Sequence, residues 1–203
     1  QLGQVSVPDE RLTRLGEIVK PGRIVPAVCD IVDIAGLVKG ASKGEGLGNQ
    51  FLANIRECDA IIHVLRCFDD SGIVHVDGSV DPVRDKEIID MELQLKDLET
   101  LENRAKRVEK AARVGGDKAA KIEMDVIDTY RKVLLEGKSA RTVTFDTEDE
   151  MAAAKSLFLL TAKPVLYVCN VDDKSASTGN EHTARVAEAI KDEDAEMLII
   201  SAQ

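Results

Sequence analysis

The sequence predicts an α/β fold with a mainly parallel sheet, into which an antiparallel pair of long helices is inserted. Short stretches rich in Val and Ile alternate with helical patterns along most of the chain, as in parallel α/β sheets. Between residues 86 and 138 this alternation gives way to apolar residues three or four apart, a rhythm typical of coiled coils. Apolar residues make up 44% of the chain and charged residues 32%, which fits a folded domain.

The ends of the predicted strands and helices are marked by local signals. Pro8 stops a first strand at residues 4–7, and Asp9 is an N-cap for a helix that Pro21 and Gly22 end. Further strands, all predicted to be buried, lie at residues 24–34 with an interruption at Pro26, and at residues 60–68, 163–170 and 196–201. Further helices are predicted at residues 49–58, 148–160 and 182–191. A loop with five glycines, residues 36–48, follows the second strand.

The inserted hairpin is predicted from two runs of apolar residues separated by a turn. The first run is Ile88, Met91, Leu95, Leu98, Leu101, Ala105, Val108 and Ala112, and the second is Ala119, Ile122, Val126, Tyr130 and Val133. Gly115 and Gly116 break the first helix, and Asp117 caps the second. We therefore divide the chain into residues 1–85, the hairpin at 86–140, and residues 141–203, with the hairpin projecting from the α/β part.

Composition excludes several classes of protein. A net charge of −10 disfavours broad non-specific binding to nucleic acids, and no DNA specificity is expected. No apolar run approaches the roughly 18 residues that a membrane-spanning helix needs. The four cysteines are scattered without a C-x-x-C pair, which favours a reducing, cytoplasmic compartment over disulfides or a zinc site.

Three motifs occur in the order expected for a P-loop nucleoside triphosphatase of the GTPase type. Asp33-Ile-Ala-Gly36 ends an apolar strand, where a carboxylate can hold Mg²⁺ through water and a glycine amide can approach a γ-phosphate. Asn170-Val171-Asp172-Asp173 follows another strand and matches the place of Asn-Lys-x-Asp, with Val171 instead of Lys. Ser201-Ala202 follows the last strand, where a backbone amide usually contacts the base. Each motif alone also fits an ordinary strand end with a turn; their order and spacing favour the nucleotide site.

A longer stretch, residues 32–68, resembles the Obg-like ATPases of the YchF subfamily, in the translation-factor class of P-loop NTPases. The resemblance extends to V-P-D-x-R-L, I-V-K-P, G-G-D-K in the hairpin and K-P-V-L-Y-V-C-N-V, and so covers essentially the whole chain. It implies a Ras-like G-domain sheet with the coiled-coil hairpin inserted. It also implies that Asp33 and Gly36 form switch II, with Asp33 holding Mg²⁺ through water.

The resemblance assigns the remaining site residues as well. Leu37 stands where Ras-type GTPases carry the water-orienting Gln, and leucine cannot hydrogen-bond water. The family is thought to use a histidine on a loop instead, which aligns with His75; without the resemblance, His75 is an ordinary exposed loop histidine. Contacts with the base are implied for Asn170, Val171, Asp173, Ser201 and Ala202. ATP is the implied substrate, and Asp173, where the family commonly has Glu, leaves GTP as an alternative.

The family's P-loop and its C-terminal TGS domain are expected before Gln1 and after Gln203. This chain contains neither the P-loop pattern nor the switch I Thr, so we expect a central segment that is inactive by itself. The cluster Gly44-Glu-Gly46-Leu-Gly48 is no substitute, because it lacks the Lys-Ser/Thr pair and does not directly follow a strand.

A basic tip is predicted on the hairpin, where residues 104–121 carry a net charge of +5. Its cations are Arg104, Lys106, Arg107, Lys110, Arg113, Lys118 and Lys121. Such a charge pattern also fits a solvated helix face, but the family's association with ribosomes favours RNA. The sequence thus predicts a cytoplasmic, ribosome-associated ATPase. The alternatives are a GTPase and a non-enzymatic, nucleotide-switched ribosome adaptor.

Overall fold

The computed structural model describes residues 2–34, 47–70, 72, 78–114 and 116–202, and the chain divides into two compact units, residues 1–36 and 37–203. The strands are β1 (Leu2–Ser6), β2 (Val28–Val32), β3 (Ile61–Arg66), β4 (Val165–Asn170) and β5 (Glu196–Ile200). The helices are α1 (Glu10–Val19), α2 (Leu47–Glu57), α3 (Pro82–Val114), α4 (Lys118–Leu135), α5 (Glu148–Ser156) and α6 (Glu181–Ile190). Single 3₁₀ turns lie at Ala140–Thr142 and Asp173–Ser175.

The first unit is a two-stranded antiparallel ribbon with α1 between its strands. Leu2 lies opposite Val32, and the side chain of Asp9 accepts the hydrogen bond of the Arg11 amide at 2.9 Å, which confirms the predicted N-cap. Pairing of the stretch at residues 24–34 begins at Val28, after the predicted interruption at Pro26, but the prediction of a buried strand is wrong, because all five residues of β2 are exposed. Pro26 has no N–H to donate, so ladder pairing cannot continue through it.

The second unit is built on a parallel sheet in the order β3-β4-β5, which confirms the predicted α/β class. The central strand β4 is buried on both faces, as the apolar run Val165-Leu-Tyr-Val-Cys predicts. The apolar face of α6, with Val186 and Ile190, packs against this sheet. The carboxyl ends of β3, β4 and β5 therefore lie along one edge, supported by a core of buried, mostly apolar side chains.

The inserted helices α3 and α4 run antiparallel and pack side by side. The amide of Gln94 donates to the Gly137 carbonyl at 3.1 Å near one end, and Arg104 pairs with Glu123 nearer the other. Asp117 caps α4 as predicted, accepting from the amides of residues 119 and 120 at 2.9 and 3.2 Å. The two helices share a core with Leu157 and Leu159, so the part of the hairpin nearest the sheet packs against the loop after α5. Coiled-coil packing of the pair stays a prediction.

The apolar seam predicted along the first half of α3 is wrong at two positions. Met91 and Leu95 are 58% and 46% exposed, whereas Lys86 and Asp97 on the opposite face are 3% and 0% exposed. This half of α3 packs its polar face towards β3 and α6. A prediction based on the spacing of apolar residues misses such a face, because the face is polar. Polar side chains can be buried when every charge and hydrogen-bonding group has a partner.

The buried polar face of α3 joins the hairpin to the sheet through a group that we call the root cluster: Lys86, Asp90, Arg141, Tyr167 and Glu193. The ammonium of Lys86 lies 2.7 Å from Asp90 and 2.5 Å from Glu193. The Tyr167 hydroxyl donates to Glu193 at 3.0 Å, and Arg141 donates to the Glu193 backbone carbonyl at 3.1 Å. Burial opposes the charge of Lys86, but its two carboxylate partners outweigh burial and raise its pKa. The roots of both inserted helices thus converge on the turn that leads into β5.

Candidate functional site

Two strand ends of the second unit place the predicted base-binding residues next to one another. β4 ends at Asn170 and its parallel neighbour β5 ends at Ile200, in a register that pairs these two residues. Carboxyl ends of parallel strands are where ligands bind in open α/β sheets, because the loops leave the sheet there. After β4 the chain turns at Asp172, whose side chain accepts from the Ser175 amide at 3.0 Å. This cap fixes the 3₁₀ turn that begins with Asp173.

Hydrogen bonds connect the loop after β4 with the loop after β5. The Ala202 amide donates to the side-chain oxygen of Asn170 at 3.0 Å, and the Ser201 hydroxyl donates to the carboxylate of Asp173. The backbone between them is tied as well, since the Val171 amide donates to the Ile200 carbonyl at 2.8 Å. Four of the five residues predicted to contact a base therefore form one connected group, although residue 173 lies 28 positions before residue 201.

Val171 is placed differently from the other four. Its side chain is 2% exposed and packs in the core beneath the site, together with Val186. The position that carries a long Lys in ordinary guanine sites is therefore occupied here by an apolar side chain that packs in the core. A base contact at Val171 stays a prediction, and its backbone carbonyl is the group that fits it, because the apolar side chain is buried and the amide is bonded to β5.

The arrangement suits the edge of a planar, nitrogen-rich ligand. Asp173 supplies a carboxylate whose orientation is held by a hydroxyl, and such a group accepts hydrogen bonds from neighbouring N–H donors. The backbone amide of Ala202 already holds the side chain of Asn170 in one orientation, so ligand binding does not have to order this side chain. A site that is ordered before binding loses less conformational entropy on binding.

The residues predicted to handle phosphate and water are only partly described. Asp33 is exposed directly after β2 in the first unit, whereas Gly36, Leu37 and His75 lie outside the described residues. Among the described residues, no group of three or more metal-binding side chains comes together. Mg²⁺ is commonly bound by one or two carboxylates, waters and substrate phosphates. A single exposed carboxylate at Asp33 fits that mode, with water between it and the ion.

Helix α6 holds residues near the site that the sequence reasoning missed. Asn180, His182 and Arg185 contact residues that precede and follow the segment containing His75. Each contact joins positions more than a hundred residues apart in the chain. No local pattern signals such pairs, because Asn, His and Arg are common at helix starts and on amphipathic helices and carry no fixed spacing to their partners.

The basic tip on the hairpin is exposed over most of its length. Arg104 is half-buried and paired with Glu123, and Arg113 pairs with Glu109 at 3.0 Å. The remaining five cations are exposed, and within the described part of the chain no ion pair is formed by them: Lys106, Arg107, Lys110, Lys118 and Lys121. Arg104 and Arg107 also line a cleft of about 310 Å³ with Arg56 of α2 and with Lys96 and Glu99, which pair with each other at 2.7 Å.

Within the described ranges, every helix is too short or too polar to cross a membrane.

Comparison with known proteins gives consistent matches along the chain. The family described as "50S ribosome-binding GTPase" matches residues 12–113. Ribosome-binding ATPase YchF of Bacillus subtilis is 47% identical over 100% of this chain and 55% of its own length. Obg-like ATPase 1 of Saccharomyces cerevisiae is 46% identical over 91% of this chain and 48% of its own length.

A solved structure described as the Schizosaccharomyces pombe YchF GTPase is similar in fold as well as in sequence. Its TM-score is 0.79 at 38% identity, with 98% of this chain and 55% of that chain covered. The chain thus spans about half the length of the relatives that it matches.

Proposed function

This chain belongs to the YchF group of Obg-like ATPases within the 50S ribosome-binding GTPase family, and on that premise we propose that it is the central segment of a cytoplasmic, ribosome-associated ATPase. The intact protein hydrolyses ATP to ADP and phosphate. The observation that carries the proposal is the connected group at the ends of β4 and β5, where Asn170 and Asp173 are held by Ala202 and Ser201. That group is the base-binding part of a nucleotide site.

Base choice follows from two positions. Val171 lies in the core, so no Lys stem is available to pack over a guanine. Without that packing the site has no preference for guanine from this position, so it should bind adenine at least as tightly as guanine. Asp173 favours the opposite choice, since its carboxylate can accept from the two adjacent N–H groups on the guanine edge. GTP is therefore the second candidate substrate, and Asp173 is the specific observation that favours it.

Hydrolysis depends on positioning and electrostatics. Asp33 would hold Mg²⁺ through water, and the ion would supply positive charge against the charge that develops on the transferred phosphoryl group. The amide of Gly36 binds the γ-phosphate at close range, because glycine has no side chain to intervene. Leu37 stands where Ras-type GTPases carry the Gln that orients the attacking water, and its side chain cannot hydrogen-bond. His75 orients the water instead.

The hairpin binds ribosomal RNA through its basic tip. Five exposed cations without ion pairs among the described residues leave this surface with excess positive charge. Arginine and lysine bind phosphates without reading sequence, so binding should weaken steeply with salt. No aromatic residue lies between positions 104 and 121, so stacking on bases adds little there.

The experiment that tests the enzymatic proposal is phosphate release by the intact protein with ATP and with GTP, with and without ribosomes. ATP turnover that depends on Mg²⁺ is expected, together with a strong loss in the His75→Ala variant at nearly unchanged nucleotide affinity. That split is the signature of a contact made in the transition state, and about 10²-fold or more in kcat is expected. Nucleotide binding without turnover, even on ribosomes, would instead indicate a nucleotide-switched adaptor.

The ribosome proposal is tested with the triple variant Arg107→Glu/Lys110→Glu/Arg113→Glu of the intact protein. Its co-sedimentation with ribosomes should fall at every salt concentration, whereas basal ATP turnover stays that of wild type. A matched control reverses Lys132, Lys138 and Lys155, which lie outside the tip. Wild-type sedimentation of the tip variant across a salt series would show that the tip is only a solvated helix end.

A further inference from the structure

An exposed aromatic side chain lies directly after α5, where the chain leads into β4. Phe158 is 66% exposed, whereas its neighbours Leu157 and Leu159 are 5% and 3% exposed and pack in the core shared with α3 and α4. Phe158 also has a φ of +49°, in the left-handed region that bulky side chains rarely adopt. Gly usually occupies this position just beyond a helix, because it has no Cβ to cause strain. Strained residues of this kind cluster at functional sites, so the exposed ring points to a ligand.

The backbone on both sides of Phe158 is held in place. Its own amide donates to the Lys155 carbonyl at 3.3 Å, which closes the last turn of α5. Further on, the amides of residues 160 and 161 donate to the buried carboxylate of Asp97 at 2.8 Å each. Because Leu157 and Leu159 fill the core positions beside it, the ring of Phe158 stays at the surface.

A cleft with mainly polar walls lies beside this turn. Its volume is about 310 Å³, within the range of ligand clefts. Four of its lining residues follow one face of α3, at spacings of four, three and four: Lys96, Thr100, Asn103 and Arg107. Together they extend about 16.5 Å along the helix axis. Arg56 of α2 and Leu157 also line the cleft, so Phe158 directly follows a residue of its wall.

The charge of the cleft is positive and only partly compensated. Two of its cations have carboxylate partners: Lys96 pairs with Glu99 at 2.7 Å, and Arg104 pairs with Glu123. Arg56 and Arg107 form no ion pair within the described part of the chain. Guanidinium groups without a carboxylate partner are well suited to phosphates, which they bind through two parallel hydrogen bonds. The cleft therefore favours a ligand that carries phosphate groups.

We propose that the cleft and Phe158 together bind unpaired nucleotides of RNA: the cleft binds the phosphate groups, and the ring of Phe158 stacks on a base. Consecutive Cα atoms are about 3.8 Å apart, so the ring begins within reach of a nucleotide whose phosphate lies beside Leu157. Proteins that bind single strands combine a positively charged groove with aromatic rings in this way. In a duplex the faces of the bases are covered by stacking, so the site should prefer single strands.

This inference rests in part on the RNA binding proposed for the basic tip, because Arg104 and Arg107 belong to the tip as well as to the cleft. Phe158 and Arg56 lie outside the tip, so substitutions at these two positions test the cleft by itself. An acidic protein segment would also be attracted by the cations, but its binding would not require an aromatic ring. Dependence on the ring of Phe158 therefore separates RNA from a protein partner.

The test is fluorescence anisotropy of the intact protein with a labelled oligoadenylate strand and with a duplex of the same length. Saturating ADP is present throughout, so that the base site at Asn170 is occupied. Phe158→Ala should weaken binding of the single strand about tenfold and leave binding of the duplex within about twofold of wild type. Phe158→Trp should bind like wild type, because it keeps a stacking surface. Phe158→Leu should bind like Phe158→Ala, because an aliphatic side chain has no ring face.

Arg56 provides a second, electrostatic measurement. Arg56→Gln should lower the slope of log Kd against log salt by about 0.7, the contribution of one phosphate contact with a single strand, whereas Phe158→Ala should leave that slope unchanged. The matched controls are Lys132→Gln and Leu135→Ala, an exposed cation and an exposed apolar residue of α4 that do not line the cleft. Both controls should bind the single strand like wild type.

Phe158→Gly separates binding from folding. Glycine relieves the backbone strain, so the thermal unfolding midpoint should stay within a few degrees of wild type, while single-strand binding should fall as in Phe158→Ala. Wild-type binding by Phe158→Ala or by Phe158→Leu overturns the stacking role. So does a wild-type protein that binds the duplex as tightly as the single strand, or that binds neither. In each of these cases a loss of ribosome co-sedimentation in the tip variant would still support the basic tip, so the two proposals fail separately.

Discussion

Asp97 is the residue on which the attachment of the hairpin to the body can be tested most directly. Its side chain is 0% exposed and accepts three hydrogen bonds from the loop after α5. The amides of Leu160 and Thr161 donate at 2.8 Å each, and the Thr161 hydroxyl donates at 2.7 Å. Burial outweighs these three bonds and raises the pKa of the Asp97 carboxyl, so the folded state holds this charge at a cost.

We expect Asp97→Ala to lower the free energy of unfolding by about 3 kcal/mol. The variant leaves two buried backbone N–H groups without acceptors, and each costs about 1–3 kcal/mol. Asp97→Ala also removes the free-energy cost of burying the carboxylate charge, and this gain offsets part of the loss in stability. Asp97→Asn keeps the shape and one acceptor oxygen but turns an NH₂ group towards a donor, so about half of the loss is expected.

Urea denaturation followed by far-UV circular dichroism measures these differences, since α3 and α4 contribute much of the helical signal. The control is Glu102→Ala, an exposed position on the same helix, which should change stability by no more than about 0.5 kcal/mol. The expected order of destabilisation is Asp97→Ala, then Asp97→Asn, then the control. A loss for Asp97→Ala as small as that of the control would refute the reasoning that this carboxylate holds the hairpin on the body.

Three further outcomes are expected. The 203-residue chain alone should bind ATP far more weakly than micromolar, because its sequence contains no P-loop amide cradle or phosphate-binding lysine; a micromolar affinity by titration calorimetry would contradict this. Burial lowers the pKa of His63, so the unfolded chain takes up its proton first and stability should fall as pH drops below about 6.5; a urea midpoint that falls equally in His63→Gln would show that other groups cause the loss. In the intact protein, Asp173→Ala should abolish GTP binding and spare ATP; equal loss of both nucleotides would mean that Asp173 supports the site instead of selecting the base.

The sequence alone determined the features that depend on neighbouring residues. Asp9 and Asp117 were recognisable as caps, and both accept the amide hydrogen bonds expected of them. The apolar run of β4 predicted a buried strand, and four of its six residues are buried. Motif order predicted that Asn170 and Ser201 belong to one site, because parallel strands bring their carboxyl ends to the same edge. Each of these predictions uses a regularity of local geometry that a single sequence carries.

The tertiary structure decided which polar side chains are buried and which distant residues meet. Lys86 and Asp97 read as ordinary charged positions of a long helix, and their burial follows from partners at residues 193, 160 and 161. The contacts of Asn180 and Arg185 with the ends of the segment between β3 and α3 have the same character. Burial of a charge or amide is favourable only when every partner arrives in place. Whether every partner is in place depends on the packing of distant parts of the chain, and no periodic pattern in the sequence predicts it.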